Sequence, residues 1–152
     1  YWDSDASDVD ETRMKPDQLR ELRATYEANV RAVATRLLDS GAYVVMSGPT
    51  LIGEQPRHRN KKDTQLDAYR AINHRVASSL TIHYVDTRRA LFDGRPAGTP
   101  ADVAKGLLTE DGEHLNARGV SIVESLFVQA LDAWLRREDP AASWRKSLPE
   151  NY

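Results

Sequence analysis

The chain of 152 residues contains no cysteine. This excludes a disulfide framework, a thiolate metal site and a cysteine nucleophile. The chain also lacks an apolar run of membrane-spanning length. Its net charge of −2 comes from interspersed residues of both signs, so the charge pattern does not indicate a nucleic-acid partner. The 29% charged and 40% hydrophobic residues are ordinary for a globular domain with a core.

An initial methionine is absent as well, because the chain starts at Tyr1, and no signal-peptide pattern follows it. We therefore expect translation to start upstream, where any targeting segment would lie, and the compartment stays open. Residues 1–15 are rich in acids. Counted from Asp3, the sixth and twelfth positions hold Asp8 and Met14, where a calcium loop needs Gly and an acid. We expect a solvated acidic loop there.

Three helices are predicted by apolar residues spaced three and four apart. The first begins at Pro16 and ends before Gly41, the second covers about 64–80, and the third covers about 117–136. The residues expected on their buried faces are Leu19, Leu22, Tyr26, Val30, Val33 and Leu37; Leu66, Tyr69, Ile72, Val76 and Leu80; and Val120, Val123, Phe127, Leu131 and Trp134.

Two strands are predicted between these helices, at 42–47 and 81–86. The continuous apolar run of the first favours a strand buried on both faces of a parallel sheet. The order helix, strand, helix, strand, helix predicts an α/β fold with right-handed crossovers. A sheet of this type has about five strands, so we expect the N-terminal half of the fold to be missing from this chain. We assign residues 1–140 to the C-terminal part of a single domain and 141–152 to a tail.

The most informative motif is Asp111 three residues before His114, in a turn that enters the last helix. Such a carboxylate can hold the imidazole tautomer through the Nδ1 proton and leave Nε2 free as a general base. An isolated pair of this kind more often has a structural role. A matching nucleophile is not evident. Ser47 ends a strand but is followed by Pro49 and a long loop, and Ser4 has no preceding strand.

The remaining histidines do not form a ligand pattern. His58 lies in a basic loop, His74 on the polar side of a helix and His83 in a strand, without partners at metal-ligand spacing. We predict no metal and no cofactor. Asp86 follows the second strand and is expected to cap the next turn or contact Arg88 or Arg89.

The stretch Leu108–Gly119 resembles the last signature block of the SGNH (GDSL-type) serine hydrolases, and the stretches 41–54 and 84–86 are similar to the parts of that family around it. The resemblance covers about 19–135. It implies a flavodoxin-like three-layer α/β/α fold and ester or thioester hydrolysis through an acyl-serine, with His114 as base and Asp111 as its partner. The nucleophile block, the oxyanion Gly and the oxyanion Asn of that family are absent from this chain.

The resulting hypothesis is a serine esterase acting on a small ester or acyl substrate, with an upstream or separate segment supplying the serine and the oxyanion Gly and Asn. Residues 49–54, at the carboxyl end of a strand, should border the cleft. Two alternatives stay open. One is a non-catalytic pseudo-hydrolase or α/β binding domain; the other is an unrelated flavodoxin-like domain, which predicts a phosphate loop after its first strand.

Overall fold

The computed structural model describes residue 11 and residues 14–137. Over this part of the chain, the elements are α1 (Pro16–Asp39), β1 (Val45–Ser47), α2 (Asp63–Ser79), β2 (His83–Val85), α3 (Thr87–Asp93) and α4 (Ala117–Arg137). The three predicted helices are confirmed to within a residue or two at most ends. Both strands are present but shorter than predicted. The short helix α3 was not predicted.

The first helix shows how local chemistry sets element boundaries. Pro16 occupies its first turn, where the missing N–H is not needed. At the other end Gly41 has φ +81°, and the amides of Gly41 and Ala42 donate to the carbonyls of Leu38 and Leu37. This is a Schellman cap, in which a left-handed residue satisfies the last carbonyls of the helix.

The two strands form a parallel pair, with Val45 opposite His83 and Ser47 opposite Val85. The helix α2 is the crossover between them, as in a βαβ unit. Both strands therefore end at the same edge of the sheet, and the loops that follow them are neighbours.

Helices cover both faces of this sheet. Val44 and Met46 pack in a cluster with Ala34 of α1 and Ala77 of α2. Tyr43 instead stacks on Trp134 of α4, with ring centroids 4.7 Å apart. Because successive strand side chains point to opposite faces, α1 and α2 lie on one side of the sheet and α4 on the other. The predicted three-layer α/β/α arrangement with a parallel sheet is confirmed.

The predicted buried faces are wrong for parts of two helices. Val33 and Leu37 of α1 are 59% and 45% exposed, and Val120 and Leu131 of α4 are 49% and 48% exposed. Phe127 is also exposed. Periodicity identifies an apolar face but not its partner, and these positions stay partly open to solvent in the described part of the chain. The strand β1 is likewise only half-buried.

The prediction of a solvated acidic loop at residues 1–15 is wrong at one position. Glu11 is buried, and its carboxylate accepts hydrogen bonds from Tyr69 Oη and Arg23 Nη2, both at 2.7 Å. It is therefore not a solvated residue. The rest of the acidic run at 1–10 and the predicted tail at 141–152 lie outside the described residues, as does Ser4. The helices of the described residues include none with the length and hydropathy of a membrane-spanning segment.

Candidate active site

The loops at the carboxyl edge of the sheet are joined to each other. Gly53 N donates to the carbonyl of Gly112 at 2.6 Å, and Glu54 N donates to the carbonyl of Ala104 at 2.9 Å. The loop after β1 is thus fastened to the segment that carries Asp111 and His114. This edge is where open α/β sheets place their ligands.

Asp111 and His114 form the pair that the sequence motif predicts. Asp111 Oδ2 lies 2.7 Å from His114 Nδ1, and Asp111 Oδ1 accepts hydrogen bonds from the amides of Glu113 and His114, both at 2.9 Å. The Asp111 and His114 side chains are 55% and 77% exposed. One carboxylate oxygen is held by the backbone, which leaves the other to orient the ring, and Nε2 faces away from the pair.

The electrostatics of the pair follow from these contacts. The backbone amide and the ring of His114, together with the amide of Glu113, hold the pKa of Asp111 well below its usual range. In turn, the hydrogen bond and charge of Asp111 raise the pKa of His114, with smaller contributions from Glu113 and Glu110. Asp111 is therefore ionised at neutral pH and stabilises a protonated His114. This is the electrostatic behaviour expected of an acid that supports a histidine base.

The turn between these residues is closed by its own backbone. Thr109 and Leu115 form an antiparallel bridge, and Glu110 N donates to the carbonyl of His114 at 2.8 Å. Inside the turn Gly112 has φ +105°, a conformation that favours glycine. These features place Asp111 and His114 on the same side of a tight loop.

The helix α4 starts directly after the turn. Asn116 Oδ1 accepts from the amides of Arg118 and Gly119 at 3.0 and 3.1 Å, which caps the helix. A Cβ on Gly119 would lie 2.1 Å from the carbonyl oxygen of Leu108. Asn116 and Gly119 of the motif therefore have structural roles. Asn116 caps the start of α4, and Gly119 allows the helix to approach the backbone of Leu108 closely.

Glu54 also belongs to this site. It lies in the stretch 49–54 that was expected to border the cleft, but no role was predicted for it. Its side chain is 2% exposed, and its carboxylate accepts hydrogen bonds from Leu107 N at 2.7 Å and Leu108 N at 2.8 Å. It also accepts from the amide and the hydroxyl of Thr109. Burial by itself would raise the pKa of Glu54, but the Thr109 hydroxyl and the three amides outweigh it and lower the pKa.

A second buried charge lies next to this loop. Arg88 and Asp63 are 1% and 2% exposed and form an ion pair. Arg88 Nη1 also donates to the carbonyl of Thr50 at 3.0 Å. Asp63 Oδ2 accepts from Asn60 N at 3.0 Å, and Asn60 in turn bonds the backbone of Gln55. This network holds the loop after β1 through contacts separate from those with the Asp111 segment.

The other candidate residues from the sequence do not contact the Asp111–His114 pair in any described hydrogen bond or ion pair. Asp86 caps α3 by accepting a hydrogen bond from Arg89 N at 3.2 Å, as predicted. It also forms an ion pair with Arg70, which was not predicted. Ser47 ends β1, but no helix follows until Asp63, so the strand–turn–helix context of a nucleophile is absent. His58 is exposed, with its Nδ1 3.9 Å from Asp67.

His74 and His83 are also separate from the pair. The His74 ring packs edge-on against Tyr84 at 5.0 Å between centroids, and His83 belongs to β2. Among the residues that the structure describes, no three or more histidines and acids are grouped so that they could hold a metal ion.

The sequence matches no family model and no curated protein. Solved structures do match. The acetyl xylan esterase AlAXEase is 26% identical, with a TM-score of 0.67 over 71% of this chain and 55% of its own. An acetylxylan esterase from Geobacillus stearothermophilus is 20% identical, with a TM-score of 0.58 over 70% of this chain and 46% of its own.

A GDSL-like lipase from Bacteroides thetaiotaomicron is 18% identical, with a TM-score of 0.52 over 74% of this chain and 54% of its own. The chain thus spans about half the length of the solved structures it matches. The resemblance to SGNH (GDSL-type) hydrolases is confirmed at the level of the fold.

Proposed function

We propose that this chain supplies the acid and the base of an SGNH-type serine esterase, with Asp111 as the acid and His114 as the general base. The observation that carries the proposal is the 2.7 Å contact between Asp111 Oδ2 and His114 Nδ1, with the other carboxylate oxygen held by two amides. The fold supports it, because the solved structures of similar fold include esterases and a GDSL-like lipase.

In the proposed mechanism His114 Nε2 removes the proton from a serine hydroxyl, and the serine oxygen attacks the ester carbonyl carbon. The tetrahedral intermediate collapses, the bond to the alcohol oxygen breaks, and His114 returns the proton to the alcohol. Water then attacks the acyl-serine by the same route, which releases the acid and restores the serine. Asp111 holds the tautomer throughout and stabilises the protonated ring.

The serine and the oxyanion donors are proposed to come from a segment outside this chain. The exposed apolar positions Val33 and Leu37 on α1 and Val120 and Phe127 on α4 support this, because faces of this kind are usually covered by another element. We propose that the remainder of the same domain covers them. An acetylated carbohydrate is the first substrate to test, since two of the similar structures are acetyl xylan esterases.

The test is His114→Ala in the full-length protein that includes this chain, with His58→Ala as the matched control. We expect a loss of ester turnover of about 10³-fold or more and slowed labelling by a fluorophosphonate, because the serine loses its base. The control should keep its turnover, since His58 is exposed and its Nδ1 lies 3.9 Å from Asp67, beyond hydrogen-bond distance. Near-normal turnover in His114→Ala would contradict the proposal. A wild-type protein that neither hydrolyses esters nor takes up the probe would favour the non-catalytic reading.

A further inference from the structure

Glu54 is a buried carboxylate without a cationic partner among the described residues. Its hydrogen-bond donors are the amides of Leu107, Leu108 and Thr109 and the hydroxyl of Thr109. Burying a charge is unfavourable unless it is fully hydrogen-bonded, and here four donors supply the compensation. All four belong to the segment that leads directly into Asp111, 53 to 55 positions away in the chain.

The contact continues from Thr109 to the residue after Asp111. The Thr109 hydroxyl has a single proton, which it donates to Glu54, so its oxygen can accept from Gly112 N at 3.1 Å. The Gly112 carbonyl in turn accepts from Gly53 N at 2.6 Å. The pair Gly53 and Glu54 thus holds the backbone on both sides of Asp111.

This anchoring matters because burial does not hold Asp111 itself. Its side chain is 55% exposed, and its three hydrogen bonds are all to residues 113 and 114 of its own turn. The direction in which the Asp111–His114 pair faces therefore depends on how the turn is fixed to the rest of the fold. Glu54 supplies the buried part of that attachment.

We propose that Glu54 is a positioning residue for the Asp111–His114 pair, acting through Thr109 and Gly112. The proposal rests on the function proposed above. Glu54 does not touch the pair, and its role is to keep the turn in the orientation in which His114 Nε2 can meet a serine hydroxyl. Misplacement of reacting groups by about 1 Å costs on the order of 100-fold in rate.

The first test is Glu54→Gln in the full-length protein, with Glu124→Gln on the exposed side of α4 as the matched control. The Gln oxygen can replace Glu54 Oε1, but the Gln NH2 group then faces the amide of Leu107, where Oε2 accepted a hydrogen bond, and the negative charge is lost. The anchoring should therefore weaken. We expect kcat to fall about 10- to 100-fold with KM little changed, because substrate binding is not altered. The control should keep both constants.

The second test separates positioning from general stability by following the pKa of His114 in an NMR titration. A turn that loosens weakens the contact with Asp111, so the pKa of His114 should move down toward its ordinary value of about 6.5 in Glu54→Gln. The other charges that face His114, Glu113 and Glu110, are unchanged in this variant. The Glu124→Gln control should titrate as wild type.

Thr109 supplies a matched pair of variants in case Glu54→Gln does not fold. Thr109→Ser keeps the hydroxyl and should keep both kcat and the pKa of His114, whereas Thr109→Val removes it and should lower both. A folded Glu54→Gln or Thr109→Val protein with a wild-type His114 titration and kcat would overturn the inference. Failure of the proposed function gives a different result: either turnover survives in His114→Ala, or the wild-type protein has no ester turnover at all.

Discussion

Two acid–base pairs lie at the same edge of the sheet in opposite surroundings. Asp63 and Arg88 are 2% and 1% exposed, and their remaining polar atoms bond Asn60, Asp67 and the carbonyl of Thr50. Asp111 and His114 are 55% and 77% exposed. Among the described residues, the imidazole of His114 is hydrogen-bonded only to Asp111, through Nδ1.

The two pairs differ in what they can contribute to the free energy of unfolding. An exposed pair contributes little to folding, since water competes for both charges. A buried pair cannot lose one member without leaving an uncompensated charge. The exposed pair Asp111–His114, the open pair, is accessible to a reacting group, as the proposed function requires. The buried pair Asp63–Arg88, the closed pair, is bonded to the loop after β1.

The largest expected effect is a loss of kcat when the Asp111–His114 pair is broken. In Asp111→Asn we expect kcat for ester hydrolysis to fall by about 10³- to 10⁴-fold, because the amide can hold the wrong tautomer of His114. The melting temperature should change little, since both side chains are exposed. Thermal unfolding and steady-state kinetics on the same preparation check this. A large drop in melting temperature would show that the open pair also holds the fold.

The pH dependence sharpens the same comparison. Asp111 raises the pKa of His114, and only the neutral ring can accept a proton. In wild type kcat/KM should therefore rise with pH through a value above the ordinary 6.5 of histidine. In Asp111→Asn the residual activity should rise at a lower pH, because the stabilising charge is gone. An unchanged acid limb would mean that another group controls the profile.

Breaking the closed pair should act on stability instead. Asp63→Ala leaves Arg88 buried without its main partner and removes the bond to Asn60, so we expect a loss of about 3–5 kcal/mol in the free energy of unfolding. Denaturant unfolding measures it. The matched control is Asp93→Ala, whose pair with Arg89 is 71% exposed on both sides and should cost under about 1 kcal/mol. Equal losses in the two variants would contradict the distinction.

The smallest expected effect lies at the amino end of β2, away from both pairs. The helix α2 ends as α1 does, with Thr81 N and Ile82 N donating to the carbonyls of Ser78 and Ala77, but Thr81 takes the left-handed position at φ +56° that Gly41 takes in α1. Thr81→Gly should stabilise by up to about 1 kcal/mol because it removes this strain.

Thr81→Ala is the control for this prediction, since it keeps a Cβ in the same conformation and should gain less. Thermal unfolding compares the two variants. Greater stability in the Ala variant would show that the loss of side-chain contacts, and not the backbone conformation, controls this position. Neither change should alter the titration of His114.

Short-range patterns predicted much of this molecule. The helices α1, α2 and α4 follow from apolar residues three and four apart, and the Asp111–His114 pair follows from a spacing that a turn can close. The helix α3 was missed because its seven residues are too few to show a period. Asp86 at its N-cap was the available signal, and we interpreted it only as a turn cap.

Contacts between distant parts of the chain could not be predicted in this way. Asp63 and Arg88 are 25 positions apart, and Glu54 and Thr109 are 55 apart. Neither spacing corresponds to a helix or strand period. The buried sides of α1 and α4 were assigned wrongly at Val33, Leu37, Val120, Phe127 and Leu131, because apolar character alone does not say which residues find a neighbour.

The sequence by itself therefore determined the order of the three long helices and the two strands, the parallel α/β class and the position of the acid–histidine turn. Each of these depends on side chains within a few positions of one another, where backbone geometry fixes which residues share a face. Only the tertiary structure decided that Glu54 is buried beside that turn and Arg88 beside the loop after β1. It also decided which charged side chains are exposed to water. Burial and exposure depend on segments that are distant in the chain and together exclude water. They therefore cannot be predicted from a local sequence pattern.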